Sequence, residues 1–313
     1  MFEVFICNTP FQLFYINLII HHNKKKHNEY YYLIISTINY YSPSKIDNFI
    51  KLSKNPFFSL FQLTKIRYKI WKQCRYNKKK IFITLPHIDG ILCNYFFQSY
   101  FNNKSVTFNF YYEGLALFRK SGFKLKQSMK FNLTKSFFFL LNFFKPTEIF
   151  NLFPYYRLNK ATAYSPVSSE FLEKHYHHVE IINLRYSNIS QLGDKDFIIF
   201  LAPDDQISDV ELTLDHIYRS YNTNPSKILI RPHLQTKINF ENISDVDVSN
   251  TATVGEYLAL QHRSAKFYLS AVSSLILNLN TLGFRKDQIF IRKSLQLENE
   301  DLEINLSNMF SKF

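Results

Sequence analysis

A single carboxylate, Glu113, follows the apolar run of residues 105–112 (SVTFNFYY) and precedes Gly114. The run predicts a buried β-strand, so Glu113 stands at the carboxyl end of that strand. A carboxylate in this position can act as a general base if it reaches a substrate hydroxyl. The simpler interpretation is a solvated charge at the end of a strand. This segment alone leaves both interpretations open.

A cation and an imidazole, Arg231 and His233, come directly after another apolar run, residues 227–230 (KILI). Arg231 offers a planar fork of donors that suits a phosphate. His233 can donate a hydrogen bond and can also pass a proton. A lone histidine is usually structural, but the pairing with arginine at the end of a strand favours an anion site.

Three further polar side chains are candidates for binding a phosphate or a ribose. Ser273 and Ser274 precede the apolar stretch 275–282, which predicts a helix that Gly283 ends. The two hydroxyls either cap this helix or bind a phosphate at its amino end. Glu256 either stabilises the first turn of a helix or accepts the two hydroxyls of a ribose.

The first loop of the chain also presents small polar groups. Asn8 and Thr9 follow the strand-like run 2–7 (FEVFIC), and Pro10 comes next. A helix cap with proline in the first turn explains these residue types in structural terms. The same loop offers polar side chains and backbone amides at the end of a strand, where ligands of parallel sheets bind.

Strand-like apolar runs alternate with helical patterns and must position these groups. Such alternation predicts an α/β fold with parallel sheets that are covered on both faces. The length of 313 residues suits two domains, and the irregular stretch 151–183 is where we place the connection. We therefore expect two Rossmann-like domains, residues 1–155 and 156–313, that face a central cleft. The runs are FEVFIC, YYYLII, KIFITL, SVTFNFYY, FIIFLA, KILIRP, AKFYLSAV and QIFIRK, and the helical patterns include residues 11–22 and 90–101.

Charge is distributed unevenly along the chain. Residues 1–155 contain 22 Lys and Arg against 6 Asp and Glu, whereas the remainder contains 16 against 19. The basic half is either a solvated face or a contact with an anionic partner such as a membrane or an acidic glycan. Because no nucleic-acid-binding motif accompanies the lysine runs, we expect no nucleic acid partner. The apolar segment 137–144 is too short to span a membrane and predicts a buried or an interfacial helix.

Glycine and cysteine usage disfavours several classes of protein. The six glycines form no G-x-G-x-x-G and no P-loop, which argues against dinucleotide oxidoreductases and NTPases. The three cysteines form no CxxC pair, which indicates a reducing compartment. Polar residues interrupt the apolar amino terminus, which argues against a signal peptide. We expect a cytoplasmic protein, with peripheral contact at the inner face of the cytoplasmic membrane as a further expectation.

Taken together, these segments resemble the bacterial sialyltransferases of GT-B fold, especially the family that sialylates lipooligosaccharide and capsule. That family has an opening T-P-x-Q segment, an acidic-acidic-Gly motif, a Lys-x-His-Pro motif and a Ser-Ser motif. Tyr112 stands in place of the first acidic residue and either packs in the sheet or lines the acceptor site, and Leu234 stands in place of the second proline. The matching segments are Thr9-Pro10-Phe11-Gln12, Glu113-Gly114, Arg231-Pro232-His233 and Ser273-Ser274.

The resemblance implies an inverting transfer of sialic acid from CMP-sialic acid to a galactose-containing glycan or glycolipid of lipooligosaccharide or capsule. Glu113 would be the general base, and His233 would bind or protonate the departing CMP phosphate. The first domain would bind the acceptor and the second the donor, without a metal or another cofactor. A basic first domain would suit a membrane-embedded acceptor. The implied donor-binding residues are Asn8, Thr9, Arg231, Glu256, Ser273 and Ser274.

Three other functions remain as alternatives. A metal-dependent GT-A transferase would use an Asp-x-Asp pair, which residues 194–196 and 245–247 spell, although the first pair precedes a strand-like run. A GT-B transferase could use another donor, such as a different keto-sugar or a UDP-hexose. A non-enzymatic protein could bind a membrane or nucleic acid through the basic half. The run 175–178 (HYHH) sits in the irregular connection and predicts a solvated loop instead of a metal site.

Overall fold

The structure is a computed structural model of the 313-residue chain, and it divides into two compact units, Met1–Asn183 and Leu184–Phe313. The division lies later than the boundary predicted at residue 155, because two strands after that point join the first sheet. The residues that the structure describes are 1–37, 48–53, 55–75, 80–86, 91–100, 103–113, 161–184, 191–233, 236, 238–240, 243, 245–249, 254–271, 274–293 and 310–312.

The first unit contains a sheet whose described strands are β1 (Phe2–Cys7), β2 (Tyr31–Ser36), β3 (Phe49–Lys51), β4 (Ile81–Leu85), β5 (Val106–Tyr111), β6 (Thr162–Ser165) and β7 (His178–Ile181). Neighbouring strands pair in parallel in the order β3-β2-β1-β4-β5-β6-β7. The chain order reverses between β1 and β4. Ligands of such sheets bind at the carboxyl ends of the strands beside this reversal.

The helices of the first unit in the described residues are α1 (Pro10–Lys26), α2 (Pro56–Arg75), α3 (Ile91–Tyr100) and α4 (Glu170–His175). The capping box at the start of α1 explains why it begins there. The Thr9 hydroxyl accepts from the Gln12 backbone N–H at 3.2 Å, and the Gln12 side chain accepts from the Thr9 N–H at 3.2 Å. Three lysines in the last turn place positive charge at the negative end of the helix dipole, which stabilises α1.

One buried carboxylate, Glu3, lies near the amino end of β1. It accepts from Asn23 Nδ2 at 3.0 Å, from Tyr30 Oη at 2.5 Å and from the Thr84 hydroxyl. Burial raises the pKa of Glu3, while these hydrogen bonds act in the opposite direction. Because several donors surround it, Glu3 belongs to a polar network of the core, at the edge of the sheet away from Glu113.

The second unit contains a sheet whose described strands are β8 (Phe197–Phe200), β9 (Ile228–Arg231), β10 (Asp247–Val248), β11 (Lys266–Ala271), β12 (Ile289–Lys293) and β13 (Ser311–Lys312). All pairs are parallel, in the order β10-β9-β8-β11-β12-β13. The chain order reverses between β8 and β11. The helices described here are α5 (Ile207–Tyr221), α6 (Gly255–Gln261) and α7 (Ser274–Thr281).

The core of the second unit forms where α5 packs on the sheet. Val210 and Ile217 of α5 meet Ile199, Ile230 and Tyr268 of the strands. Helix α7 ends before Gly283, whose φ of +86° is in the left-handed region that favours glycine. This end of α7 confirms the prediction made from the apolar stretch.

The α/β class and the parallel sheets are confirmed, and all eight predicted strands form. The short strands β3, β6, β7, β10 and β13 were not predicted, because their two to four residues include polar side chains and form no continuous apolar run. None of the helices that the structure describes is long and apolar enough to cross a membrane. The apolar segment 137–144 lies outside the described residues.

Candidate active-site residues in the two units

Glu113 lies two residues beyond β5 and is held by a buried glutamine of α1. Gln12 Nε2 donates to Glu113 Oε2 at 2.5 Å. The other end of the amide, Gln12 Oε1, accepts from the backbone N–H of Asn8 at 2.5 Å and of Thr9 at 3.2 Å. These two donors fix which end of the amide faces Glu113. The loop after β1 therefore orients a carboxylate that is 101 positions away in sequence.

Gln12 is a functional candidate that the sequence did not single out beyond its place in the T-P-x-Q segment. The Thr-x-x-Gln spacing does indicate a capping box, and the structure contains one. The cap occupies the oxygen of the side-chain amide. What its N–H₂ meets depends on the position of β5 in the sheet, which the local sequence does not reveal.

Tyr112, which stands in place of an acidic residue of the resembling family, is fully buried. Its ring meets Phe11 edge-on with centroids 6.1 Å apart and Tyr15 with centroids 5.8 Å apart. Its N–H donates to the carbonyl of Tyr164 at 2.9 Å. Of the two possibilities left open, the structure therefore supports packing within the first unit.

The side chains of Asn8 and Thr9 take part in the fold of the loop after β1. Asn8 Oδ1 accepts from the Thr37 hydroxyl at 3.3 Å, and Asn8 Nδ2 lies 3.8 Å from Cys93 Sγ. The adjacent Cys7 thiol donates to the carbonyl of Thr9 at 3.4 Å. Burial raises the pKa of Cys7 to about 12, so it stays a thiol and is no nucleophile at neutral pH.

In the second unit, Arg231 ends β9 and lies near Glu256 of α6. Glu256 is only 5% exposed, and Asn278 Nδ2 of α7 donates to its Oε1. Burial raises the pKa of Glu256, and the Asn278 hydrogen bond and the positive charge of Arg231 oppose this. Burial lowers the pKa of Arg231, although a guanidinium remains charged at neutral pH.

His233 follows Arg231 at the carboxyl end of β9. Burial lowers the pKa of His233, and the positive charge of Arg231 lowers it further. The imidazole is therefore mainly neutral at pH 7 and can donate one hydrogen bond. A bound phosphate would supply the opposite charge and would raise this pKa, so the site can take up a proton together with an anion.

One of the two predicted serines of the second unit belongs to the described residues. Ser274 is the first residue of α7, and Ser273 lies outside the described residues. Asn278 is a site residue that the sequence missed, because it is embedded in the apolar stretch LILNLN. An asparagine in such a stretch is a weak signal that only the contact with Glu256 explains.

Both Asp-x-Asp stretches lie at the amino edge of the second sheet, away from Arg231 and His233. Lys195 precedes β8, forms an ion pair with Asp247 of β10 and donates to the carbonyl of Ser226 at 2.6 Å. Asp194 Oδ1 lies 3.2 Å from His262 Nδ1. Within the described ranges, no three His, Cys, Asp or Glu side chains are arranged to hold a metal ion.

The HYHH run ends α4 at His175 and begins β7 at His178, with two residues between them, which corrects the expectation of a solvated loop over the whole run. His178 opens β7, and its Nε2 lies 3.1 Å from Glu180 Oε2. Glu180 also contacts His22 Nε2 at 2.7 Å and Lys26 Nζ. Burial alone would raise the pKa of Glu180, but hydrogen bonds from these three side chains hold it at about 2.

Comparison with known proteins identifies the fold. No protein-family model and no curated protein matches the chain significantly. A sialyltransferase from Photobacterium damsela is 10% identical with a TM-score of 0.50, and the match covers 100% of this chain and 81% of that chain. The chain has the GT-B fold. This result confirms the fold that the sequence resemblance implied.

Two other solved structures with similar folds are described as other kinds of enzyme. A UGT transferase from Siraitia grosvenorii, in complex with UDP, is 11% identical with a TM-score of 0.51, over 99% of this chain and 83% of that one. A putative UDP-N-acetylglucosamine 2-epimerase from Listeria monocytogenes is 8% identical with a TM-score of 0.53, over 98% and 86%. A GT-B fold alone therefore does not select the nucleotide sugar.

Proposed function

We propose that the protein is an inverting glycosyltransferase that moves sialic acid from CMP-sialic acid to a galactose-containing glycan of lipooligosaccharide or capsule. The observation that carries this proposal is the hydrogen bond from Gln12 to Glu113. It joins two of the four segments on which the resemblance to sialyltransferases rests. Those two segments lie far apart in the sequence, and ordinary packing gives no reason for their polar side chains to meet.

Glu113 has the role of general base in this reaction. It removes the proton from an acceptor hydroxyl as that oxygen attacks the anomeric carbon of the donor, and direct displacement inverts this carbon. Gln12 fixes the direction of the carboxylate. Because the amide is neutral, its hydrogen bond lowers the basicity of a carboxylate less than a cation in the same place would.

Arg231 and His233 have the role of stabilising the departing CMP. Negative charge grows on the phosphate as the glycosidic bond breaks, and preorganised donors there lower the barrier. Arg231 supplies a permanent charge, and His233 supplies a hydrogen bond and takes up a proton. Ser273 and Ser274, the serine pair on which the resemblance rests, have the role of binding the phosphate oxygens.

Glu256 has the role of accepting the ribose hydroxyls, and Asn278 keeps its carboxylate oriented. Asn8 and Thr9 have the role of further donor-binding residues. In this scheme the positive charge at the phosphate comes from protein side chains and a helix terminus. The acceptor is a sugar chain whose galactose presents the attacking hydroxyl.

A donor screen with the purified protein tests the proposal. Lactose, which ends in galactose, serves as acceptor, and CMP-sialic acid, CMP-linked 3-deoxy-octulosonate, UDP-galactose and UDP-N-acetylglucosamine serve as donors, with and without excess chelator. We expect CMP release from CMP-sialic acid only, unchanged by the chelator. Preference for a UDP-sugar or the other keto-sugar would assign a different GT-B transfer. Loss of activity in chelator would overturn the metal-independent scheme, and salt-sensitive binding without saturable CMP binding would favour a non-enzymatic basic protein.

A further inference from the structure

Helix α2 (Pro56–Arg75) exposes an unusual number of large aromatic side chains. Phe58 is 65% exposed, Phe61 59%, Tyr68 62% and Trp71 41%. Among the described residues, no other helix or strand exposes more than two large hydrophobic side chains. Contiguous exposed apolar surface of this kind marks a site of interaction with a partner or a membrane.

The exposed aromatics share one side of α2 with basic residues. Steps of three and four positions place Phe58, Phe61, Lys65, Tyr68 and Arg75 along one stripe, with Trp71 on its flank. We call these six residues the α2 outer face. The opposite side of the helix supplies the packing against the core through the buried residues Leu63, Ile66 and Ile70. Helix α2 therefore packs on the core without burying its outer face.

Cations and rings are interleaved on the α2 outer face. Lys65 Nζ lies 4.4 Å from the centroid of the Phe61 ring, and the Arg75 guanidinium lies 5.4 Å from that of Trp71. The rings of Tyr68 and Trp71 stack with centroids 5.8 Å apart. The helix holds five Lys and Arg and no Asp or Glu. A complementary partner must therefore be anionic and must also accept aromatic rings.

An anionic lipid surface meets both requirements at once. Its headgroups attract Lys and Arg, and the boundary below them accepts aromatic rings on a helix that lies in the membrane plane. A helix of 20 residues is about 30 Å long, which gives an extended line of contact. A single-stranded nucleic acid also binds cations and rings, but it is bound in grooves that follow its backbone, and a helix face is convex.

We propose that the α2 outer face docks the protein on an anionic lipid surface, with α2 parallel to the membrane and the rings of Phe58, Phe61 and Trp71 at the level of the headgroups. This inference does not rest on the proposed sugar transfer, because docking is measured with the full chain in the absence of substrate. If docking fails, the proposed sugar transfer is unaffected, and if the sugar transfer fails, the docking proposal is unaffected.

Trp71 is the single tryptophan of the chain, so the tryptophan fluorescence of the protein reports on the surroundings of this side chain. The test titrates the full chain with vesicles of phosphatidylcholine and phosphatidylglycerol, and with phosphatidylcholine vesicles as a comparison, and follows Trp71 emission and co-sedimentation. We expect a blue shift and co-sedimentation with the anionic vesicles only, both weakened by raised salt. An absence of either signal would overturn the proposal.

Matched variants locate the contact. In Phe58→Ser/Phe61→Ser, which retains Trp71, we expect binding to fall by about tenfold or more, since two rings leave the headgroup region. In Lys65→Glu/Arg75→Glu we expect a similar or greater loss. The control Lys24→Glu/Lys25→Glu inverts two exposed charges on α1 and should bind nearly as the original chain does. Circular dichroism spectra identical to the original would verify that the substituted chains are folded.

The remaining outcomes contradict the proposal in distinct ways. Equal loss in the α1 control would show that docking is diffuse or lies elsewhere. A blue shift that depends on protein concentration without lipid, and disappears in Phe58→Ser/Phe61→Ser, would identify a second copy of the chain as the partner. A shift of Trp71 emission with single-stranded oligonucleotide but not with vesicles would identify a nucleic-acid surface.

Discussion

Glu180 and Glu113 are two partly buried carboxylates on the same sheet, and their surroundings differ. Glu180, on the edge strand β7, faces Lys26, His22 and His178, and its pKa falls to about 2. Glu113, beyond the end of β5, accepts a hydrogen bond from the neutral amide of Gln12. A carboxylate among cations is held in its charged form and is a weak base. Glu180 therefore belongs to an ion cluster that ties α1 to β7, whereas a neutral amide orients Glu113 at the end of a strand.

The second unit shows the same contrast between its two edges. At the amino edge, the Lys195 ammonium is paired with Asp247 and donates to a backbone carbonyl. At the carboxyl edge, burial lowers the pKa of both Arg231 and His233. Lowered values mean that the protein disfavours positive charge there, so a bound anion would stabilise it. The carboxyl edge is therefore where we expect an anion to bind, as in other parallel sheets.

The largest expected effect separates the two carboxylates of the first unit. Glu113→Gln should reduce turnover by roughly 100-fold or more, because it removes the general base, while CMP affinity stays near normal. Glu180→Gln should leave turnover close to that of the original protein. CMP release assays and calorimetric titration with CMP measure both. Survival of turnover in Glu113→Gln would show that another group is the base.

The next effect compares two histidines. His233→Ala should weaken CMP binding by roughly ten- to a hundredfold, the range for a lost hydrogen bond to a charged group, and should also slow turnover. His178→Ala, at the amino end of β7 in the first unit, should change neither CMP affinity nor turnover. Unchanged CMP affinity in His233→Ala would remove this residue from the phosphate site.

The pH dependence of CMP binding sharpens that comparison. The pKa of His233 is lowered in the free protein, and a bound phosphate raises it, so binding takes up a proton. Affinity should therefore increase as the pH falls through the interval between the bound and the free pKa of His233. His233→Ala should lose this added dependence, and a profile identical to the original would contradict proton uptake at His233.

A smaller effect tests whether the amide of Gln12 positions Glu113. Gln12→Met keeps the approximate size and removes the amide, so kcat should fall by about tenfold with little change in the donor KM. The acidic limb of the pH–rate profile should move to higher pH, because the carboxylate loses a hydrogen bond to its charged form. A fall in thermal stability without any displacement of that limb would indicate a purely structural role for Gln12.

The smallest effect concerns the stability that the Glu180 cluster contributes. The folded pKa of about 2 lies below the usual value for glutamate, so the contribution is present above about pH 5 and is lost as the pH falls towards 2. Glu180→Gln should lower the Tm at pH 7 by no more than about 4 °C. The difference from the original protein should shrink on acidification. A Tm difference that stays constant from pH 7 to pH 2 would contradict this origin.

Much of the architecture follows from local sequence patterns. Apolar runs that alternate with helical periods predict the α/β class and eight of the strands, because buried parallel strands need continuous apolar residues on both faces. The cap at Asn8 and Thr9, followed by Pro10, and the later Gly283 likewise predict where α1 begins and where α7 ends. These features depend on interactions within a few residues, which the sequence determines by itself.

The composition of the candidate site depends on which strand ends are neighbours, and only the tertiary structure decided that. It brought Gln12 to Glu113 and Asn278 to Glu256, packed Tyr112 in the core, and moved the Asp-x-Asp stretches to the amino edge of their sheet. Each outcome follows from strand order and register, which arise from the packing of distant segments and are not encoded in any local period. The sequence by itself determined the candidate groups and their strand-end positions, and the sheet order determined their partners and burial.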